Sequence, residues 1–144
     1  MPFWRRRTTP PRLRKFPIVA DCMDHKVHTV TTKTDIRLAI RGLLKQHVTG
    51  APVVDEVGRV VGMLTERDCL RLITLGADGE IPSGTVAEFM TTELTTVPPD
   101  MDIYFAAGLF LNHHFRRLPV VEDGKLVGAI TRFDLLRAIQ AYLF

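Results

Sequence analysis

An internal repeat is the feature that most constrains the fold of this chain. Residues 19–73 align with residues 86–139 when one residue is removed near Val57, and about 21 of roughly 54 aligned positions are identical. Two unrelated segments would agree at only a small fraction of these positions. The chain therefore contains the same structural unit twice.

Each copy predicts the elements β-α-β-β-α. The first helix of each copy has apolar residues at helical spacing behind an acidic N-cap, Asp35 or Asp102. The two strands that follow are joined tightly, and Asp123-Gly124 is a strong hairpin signal. The predicted ranges in the two copies are strand 27–30 and 94–97, helix 35–47 and 102–114, strand 52–55 and 119–122, strand 59–64 and 125–130, and helix 66–75 and 132–143.

A single unit of roughly 55 residues buries too little surface to be stable alone. We therefore expect an α/β fold in which the two units share a core with pseudo-twofold symmetry, and pockets where the copies meet. The predicted organisation is a basic tail (1–15), a first repeat (16–75), a linker (76–85) and a second repeat (86–144).

The charge of the chain is unevenly distributed. Six of its 19 Lys and Arg residues lie in residues 1–15, which contain no acid, so the rest of the chain has 13 basic and 16 acidic residues, a net charge of −3. The tail contains three prolines and shows no helical period, which predicts an extended, mobile arm. A solvated arm, or one that packs on a partner subunit, is favoured over contact with nucleic acid or an anionic membrane.

Hydrophobicity and cysteine content indicate a cytoplasmic globular protein. No apolar run approaches the roughly 18–20 residues that span a bilayer, and the N-terminus lacks the apolar core of a secretory signal. The two cysteines, Cys22 and Cys69, are far apart and lack metal-type spacing, which favours a reducing compartment.

Both copies end a strand with Thr-x-x-Asp at the start of a helix, as Thr65 with Asp68 and Thr131 with Asp134. A helix N-terminus favours a phosphate because its first N–H groups and its dipole point outward. The Asp can accept from two sugar hydroxyls. Ordinary helix capping produces the same pattern, and for one copy alone capping is the better interpretation.

Metal binding and catalysis are not favoured. His113 and His114 are adjacent on a predicted helix, where side chains diverge by about 100°, so they cannot chelate one ion together. The sequence has no nucleophile-elbow serine and no Gly-rich phosphate loop with a lysine. Cys69 aligns with Leu135, which indicates a packed apolar position, so we expect a non-enzyme.

From about Val19 to Ile139 the chain resembles the tandem cystathionine-β-synthase (CBS) domain pair, or Bateman module. The motifs that carry the resemblance are 49–54 and 61–68 in the first copy, and 90–97 with Asp102, 116–121 and 125–134 in the second. In that family the Asp of the Thr-x-x-Asp motif holds the ribose and the Thr assists the phosphate. Occurrence of the motif twice within the family pattern favours nucleotide binding over capping.

The resemblance implies a regulatory module, without a cofactor, that binds AMP, ADP or ATP between its repeats and signals to a separate effector protein. S-adenosylmethionine and NAD are further possible ligands. The family commonly forms dimers through its helices, and the apolar C-terminal end (135–144) supports a homodimer. The alternatives are a ligand-free interaction scaffold and a nucleic-acid-binding module that uses the arginine-rich tail.

Carried over to this sequence, the resemblance implies two pockets. The first would comprise Thr131, Asp134, Arg117, Arg116, Met23, Lys26, His28 and Val48. The second would comprise Thr65, Asp68, Arg67, Gly50, Met90, Thr95 and Phe115. The basic residues of the first pocket predict that it binds a nucleotide more tightly, because the second has Glu93 at the position of Lys26. Arg67 would offset part of this difference.

Overall fold

A computed structural model describes residues 16–76, 79 and 82–143; the predicted tail and part of the predicted linker lie outside the described residues. The α/β class is confirmed, with six helices and five strands within the described part of the chain. In chain order the elements are α1 (Val19–Cys22), β1 (Val30–Thr31), α2 (Ile36–Gln46), β2 (Gly50–Val54), β3 (Val60–Thr65), α3 (Glu66–Leu75), α4 (Val86–Phe89), α5 (Ile103–Asn112), β4 (Arg117–Glu122), β5 (Lys125–Thr131) and α6 (Arg132–Leu143).

The described residues form two compact units, and each combines the hairpin of one repeat with the first segment of the other repeat. One unit contains residues 16–26 and 95–143, and the other contains residues 27–76, 79 and 82–94. In the first unit the residues after α1 reach β5 through a β-bridge between Asp24 and Ala129. Helices α1 and α4, which bring these segments into place, were not predicted from the sequence.

Each unit has its own apolar core. In the first unit, Phe110, Leu118 and Ile130 are among the buried residues. In the second, Ile36 and Leu64 are completely buried. Both cores lie between a hairpin and the helices that pack on it. They therefore hold in place the junction where each hairpin ends and the next helix begins.

The predicted hairpins are confirmed. Strand β2 pairs antiparallel with β3, and β4 pairs antiparallel with β5. Asp123 and Gly124 both have positive φ, 52° and 80°, which matches the twist that a two-residue hairpin turn requires. The predicted helices 66–75 and 132–143 also agree with α3 and α6.

The first strand of each copy is where the prediction was least accurate. In the first copy only Val30–Thr31 forms a strand, parallel to β2. The predicted strand 94–97 is wrong, because this segment makes a single bridge, from Val97 to Val120. Pro98 and Pro99 follow at once, and proline has no N–H with which to extend the ladder.

The first helices are slightly shorter than predicted. Asp35 caps α2 by accepting a hydrogen bond from the Arg37 N–H at 2.8 Å, and Asp102 caps α5 in the same way through Tyr104 at 2.7 Å. Helix α2 ends where His47 takes a left-handed conformation, with φ 54°.

Close backbone approach explains one glycine in each unit. A Cβ added at Gly128 would lie 2.6 Å from Met23 Sδ and 2.8 Å from the Asp24 carbonyl oxygen. At Gly62 the corresponding distances, to Met90 Sδ and the Thr91 oxygen, are 2.7 and 3.0 Å. Glycine therefore lets the segment after each short helix lie directly on a hairpin strand.

Candidate functional site

The junction between β5 and α6 holds Thr131 and Asp134 in a reciprocal cap. The Thr131 N–H donates to Asp134 Oδ2 at 2.9 Å, and the Asp134 N–H donates to the Thr131 hydroxyl at 3.2 Å. Asp134 is only 6% exposed. The motif thus forms the helix cap that the sequence allows. This cap fixes Asp134 Oδ2 and leaves Oδ1 for another partner.

Arg137 supplies that partner. Its Nη2 lies 2.5 Å from Asp134 Oδ1, one helical turn further along α6. The arginine side chain is 62% exposed, whereas that of Asp134 is 8% exposed. The guanidinium carbon also lies 5.1 Å from the centroid of the Phe133 ring. A solvent-facing cation therefore covers a buried carboxylate.

Asp134 and Arg137 line a cavity of about 530 Å³ between α1 and α6. Of the residues predicted for the first pocket, Asp134 and Met23 line it. Its other lining residues are Pro17, Asp21, Cys22, Ala138, Ala141 and Tyr142. The cavity therefore combines apolar walls with two carboxylates and one guanidinium.

The Cys22 thiol belongs to this cavity and stays protonated. Burial, and next the negative charge of Asp134, raise the pKa of Cys22 from 9.0 to about 11. Its Sγ lies 3.7 Å from the Ile18 carbonyl oxygen, within range of a weak hydrogen bond. A thiol with so high a pKa is a poor nucleophile at neutral pH. Cys22 therefore acts as a small polarisable side chain that lines the cavity.

Arg117 lies beside the same junction. It is the cross-strand partner of Thr131 in the β4–β5 ladder, and its side chain is 20% exposed. Its Nη2 lies 4.0 Å from Asp24 Oδ2, and its buried Nε has no hydrogen-bond partner among the described residues. Arg117 thus brings a largely buried positive charge to the start of α6.

The other two predicted basic residues of the first pocket are exposed. Arg116 immediately precedes β4, and Lys26 follows the segment that packs on β5. The backbone N–H of Lys26 donates to Asp24 Oδ1 at 2.9 Å. Together with Thr131, Asp134, Arg117 and Met23, these two residues belong to the first unit.

At the corresponding junction in the other unit, the carboxylate of Asp68 accepts more hydrogen bonds than that of Asp134. Asp68 is 1% exposed, and its Oδ2 accepts from the Thr65 N–H and from the Thr65 hydroxyl, both at 2.9 Å. The Thr91 hydroxyl donates to Asp68 at 3.0 Å from Oδ1 and 3.2 Å from Oδ2. Arg71 Nη1 is 3.9 Å from Oδ1.

One substitution between the repeats explains much of this difference. Thr91 aligns with Asp24, and both residues bridge to the hairpin strand of their own unit. A threonine hydroxyl can donate to a carboxylate, whereas an ionised aspartate can only accept. Asp134 therefore has no counterpart of the Thr91 bond, and its Oδ1 is held by Arg137 instead.

The remaining predicted residues divide between the units. Gly50 and Met90 lie in the second unit with the Thr65–Asp68 cap; Gly50 is the cross-strand partner of Thr65, and exposed Arg67 lies in the first turn of α3. His28 and Val48 also belong to the second unit, although they were predicted for the first pocket. Thr95 and Phe115, predicted for the second pocket, belong to the first unit.

His28 has a structural contact that sequence reasoning missed. Its Nε2 is buried without a hydrogen-bond partner in the described part of the chain. The ring lies against Gly42 of α2, where an added Cβ would be 2.9 Å from Nε2. Packing against Gly42 therefore accounts for the position of this ring.

Sequence reasoning also missed the arginines of both junctions. Arg71 and Arg137 are identical in the aligned repeats and follow the motif Asp by three residues. Residues three apart on a helix are neighbours, so a basic residue at this spacing could have indicated the ion pair.

Residues 16–76, 79 and 82–143 contain neither a metal-type cluster nor a helix that could span a membrane. No group of three or more His, Cys, Asp or Glu residues there could hold a metal ion. No helix in that part of the chain has the length and apolar character needed to cross a membrane.

Comparison with known proteins identifies the family. The model of the CBS domain matches residues 19–75 and again 86–141. The chain belongs to the CBS domain family. The CBS domain-containing protein YhcV of Bacillus subtilis (strain 168) is 42% identical over 118 residues, which are 81% of each chain.

Solved CBS-pair structures share the fold. The crystal structure of CBSX2, from Arabidopsis thaliana, in complex with AMP is 32% identical and has a TM-score of 0.77, covering 88% of this chain and 98% of that one. The CBS domain pair of protein MJ0100, in complex with 5′-methylthioadenosine and S-adenosyl-L-methionine, is 26% identical with a TM-score of 0.72, at the same two coverages.

Proposed function

We propose that this CBS pair binds an adenine nucleotide of the AMP, ADP or ATP type at the β5–α6 junction. The observation that carries the proposal is a nearly buried carboxylate, Asp134, that lines a cavity of about 530 Å³. A carboxylate can accept hydrogen bonds from two adjacent hydroxyls, such as those of a ribose. The volume is within the range of small-molecule pockets.

The surroundings of Asp134 suit the rest of a nucleotide. The N-terminus of the 12-residue helix α6 favours an anion, and Arg117 adds positive charge at the strand opposite Thr131. Met23 and Tyr142 supply apolar surface for a purine. Arg116 and Lys26 are the exposed cations that we assign to the phosphate end.

The known complexes support this class of ligand. CBSX2 was crystallised with AMP, and MJ0100 with two other adenosyl compounds. All three ligands share adenine joined to a ribose, which is the part that Asp134 and the cavity would recognise. S-adenosylmethionine and NAD therefore belong in the set of ligands to be tested.

We propose that the junction in the other unit is the weaker site. Asp68 already accepts hydrogen bonds from Thr65 and Thr91, so a ribose would have to displace the Thr91 hydroxyl from a residue that is 1% exposed. Breaking these bonds without full replacement costs free energy. The roles assigned to Arg67, Gly50, Met90, Thr95 and Phe115 remain predictions for this weaker site.

We further propose that two chains associate and act on a separate effector without catalysis. A groove between α5 and α6 has a volume of about 630 Å³ and includes Leu111, Leu136 and Ile139, which are 85%, 61% and 39% exposed. Apolar surface of this kind favours burial by a second copy. Light scattering on the wild type and Leu136→Glu tests this; equal monomeric masses would refute it.

The unpaired thiols Cys22 and Cys69 fit the reducing cytoplasm in which we propose that the protein acts.

Thermal unfolding of the nucleotide-stripped protein tests the proposed ligand. AMP, ADP, ATP, NAD and S-adenosylmethionine are each added to about 1 mM. A ligand at about 100 times its dissociation constant adds roughly 2.7 kcal/mol to the free energy of unfolding, which raises the Tm by several degrees. No shift with any of them would refute nucleotide binding and favour the ligand-free scaffold.

A further inference from the structure

The contact between Arg137 and Asp134 occupies the carboxylate on which the proposed nucleotide site depends. Asp134 Oδ2 is fixed by the Thr131 N–H at 2.9 Å, and that bond belongs to the helix cap. Oδ1 is bound by Arg137 Nη2 at 2.5 Å. Of these two partners, only the arginine is a side chain that can leave without unfolding the first turn of α6.

The position of Arg137 allows it to move. Its side chain is 62% exposed, so the guanidinium can be hydrated as it leaves the carboxylate. It lies over the exposed ring of Phe133, and its apolar stem needs no buried cavity. Its departure from Asp134 therefore leaves no buried unpaired cation.

Arg137 and a ribose would approach Asp134 from the same side. Both Arg137 and Asp134 line the cavity between α1 and α6, and Asp134 is almost fully covered elsewhere. A vicinal diol binds a carboxylate most strongly when it donates to both oxygens. Such binding requires Oδ1, which the guanidinium holds.

We infer that Arg137 is a built-in competitor for the ribose-binding carboxylate, and that it sets the affinity of this CBS pair for its nucleotide. This inference rests on the proposed function. Ligand binding then begins with exchange of a charge-assisted hydrogen bond for two hydroxyl donors. Arg137 thus holds the Oδ1 atom of Asp134 until a ligand displaces it.

The first repeat offers a matched control. Arg71 occupies the same place in the repeat, but its Nη1 is 3.9 Å from Asp68 Oδ1, and Thr91 already donates to that oxygen at 3.0 Å. Arg71→Gln removes the same charge from the chain as Arg137→Gln without freeing a carboxylate oxygen. It therefore reports any effect of net charge alone.

Isothermal titration with adenosine and with AMP tests the inference on the full chain. We expect Arg137→Gln to bind adenosine roughly 3- to 10-fold more tightly than the wild type, because the competing contact from a largely exposed arginine is lost. Arg71→Gln should leave the affinity unchanged. Arg137→Lys keeps a competing cation at the position, so it should bind adenosine about as weakly as the wild type.

Adenosine separates the ribose contact of Asp134 from any phosphate contact of Arg137, because it carries no phosphate. If Arg137→Gln binds adenosine no more tightly than the wild type while both bind AMP, the inference is wrong and the nucleotide site stands. A weaker AMP affinity with unchanged adenosine affinity would make Arg137 a phosphate ligand instead. If none of the proteins binds either compound, the proposed function fails and this inference fails with it.

Discussion

The Thr91 hydroxyl lies 3.0 Å from Asp68 Oδ1, whereas the aligned residue of the other repeat, Asp24, cannot donate to Asp134. This pair of positions makes the two junctions chemically different, although both contain the reciprocal Thr–Asp cap. Asp68 accepts hydrogen bonds from Thr65 and Thr91, whereas Asp134 Oδ1 is bound by the exposed side chain of Arg137. The chain therefore contains one carboxylate enclosed by hydroxyl and amide donors and one whose second oxygen meets an exposed guanidinium.

Replacing Thr91 tests the structural role of the first carboxylate. Thr91→Val should lower the free energy of unfolding by roughly 1–3 kcal/mol, because nearly buried Asp68 loses a donor that no water can replace easily. Urea denaturation measures the loss. Thr92→Val, at the exposed neighbouring position, is the control, and an equal effect of both substitutions would contradict this account.

The close approach at Gly128 predicts a second loss of stability. Gly128→Ala should cost roughly 1–3 kcal/mol of unfolding free energy, because the new methyl group meets the Asp24 carbonyl oxygen and the Met23 side chain. Gly108→Ala is the matched control: this glycine lies in α5 with open space around its missing Cβ.

Alanine at position 108 should be neutral or stabilising by up to about 1 kcal/mol, because it favours the helix. A Gly128→Ala protein as stable as Gly108→Ala would show that the segment after α1 does not pack on β5 as described. Both variants are compared in the same urea titration.

The Cys22 thiol provides a pH-dependent probe of the cavity. Its pKa of about 11 predicts a thiolate fraction roughly 100-fold lower near pH 8 than for a thiol of pKa 9.0, so alkylation in a Cys69→Ser background should be slow. The rate should rise through about pH 11. A rate that levels off near pH 9 would contradict the burial and the influence of Asp134.

The same pKa has a consequence for stability. The folded-state pKa is raised, so the folded protein retains the thiol proton more strongly, and stability is lost as the pH rises from 9.0 through about 11. Cys22→Ala should remove this part of the alkaline decline. An unchanged decline, measured by urea denaturation at each pH, would assign it to other groups.

AMP should also protect Cys22 from alkylation, because the thiol lines the proposed site. Cys69, which follows Asp68 in the weaker proposed site, is the comparison in a Cys22→Ser protein, and its rate should respond to AMP only at higher concentrations. Equal protection of both thiols at the same AMP concentration would contradict the proposed ranking of the two sites.

The sequence predicted the elements that carry strong local signals. The Asp-Gly turn, the acidic caps and the periodic apolar positions determined the hairpins and long helices, because each depends on residues close in the chain. Helices α1 and α4 have only four residues each, too few for a hydrophobic period. Their bridges to β5 and β3 depend on contacts distant in sequence.

Within the candidate site, the sequence predicted the cap but not its partners. Thr131 and Asp134 were found because their motif occurs twice. The contrast between Thr91 and Asp24 depends on which segment packs on which hairpin, and the repeat pattern does not specify that packing. The fixed role of His28 against Gly42 likewise required the packed structure.

The most direct test of the account is the stoichiometry and affinity of AMP for the wild type and Asp134→Asn, measured by isothermal titration. Asparagine keeps an oxygen for the Thr131 N–H but cannot accept at its second position, so the cap survives and the ribose contact does not. We predict about one tight AMP per wild-type chain and loss of that binding in Asp134→Asn, with the folded structure retained by circular dichroism. Unchanged binding in Asp134→Asn would contradict the assignment of Asp134 as the ribose ligand.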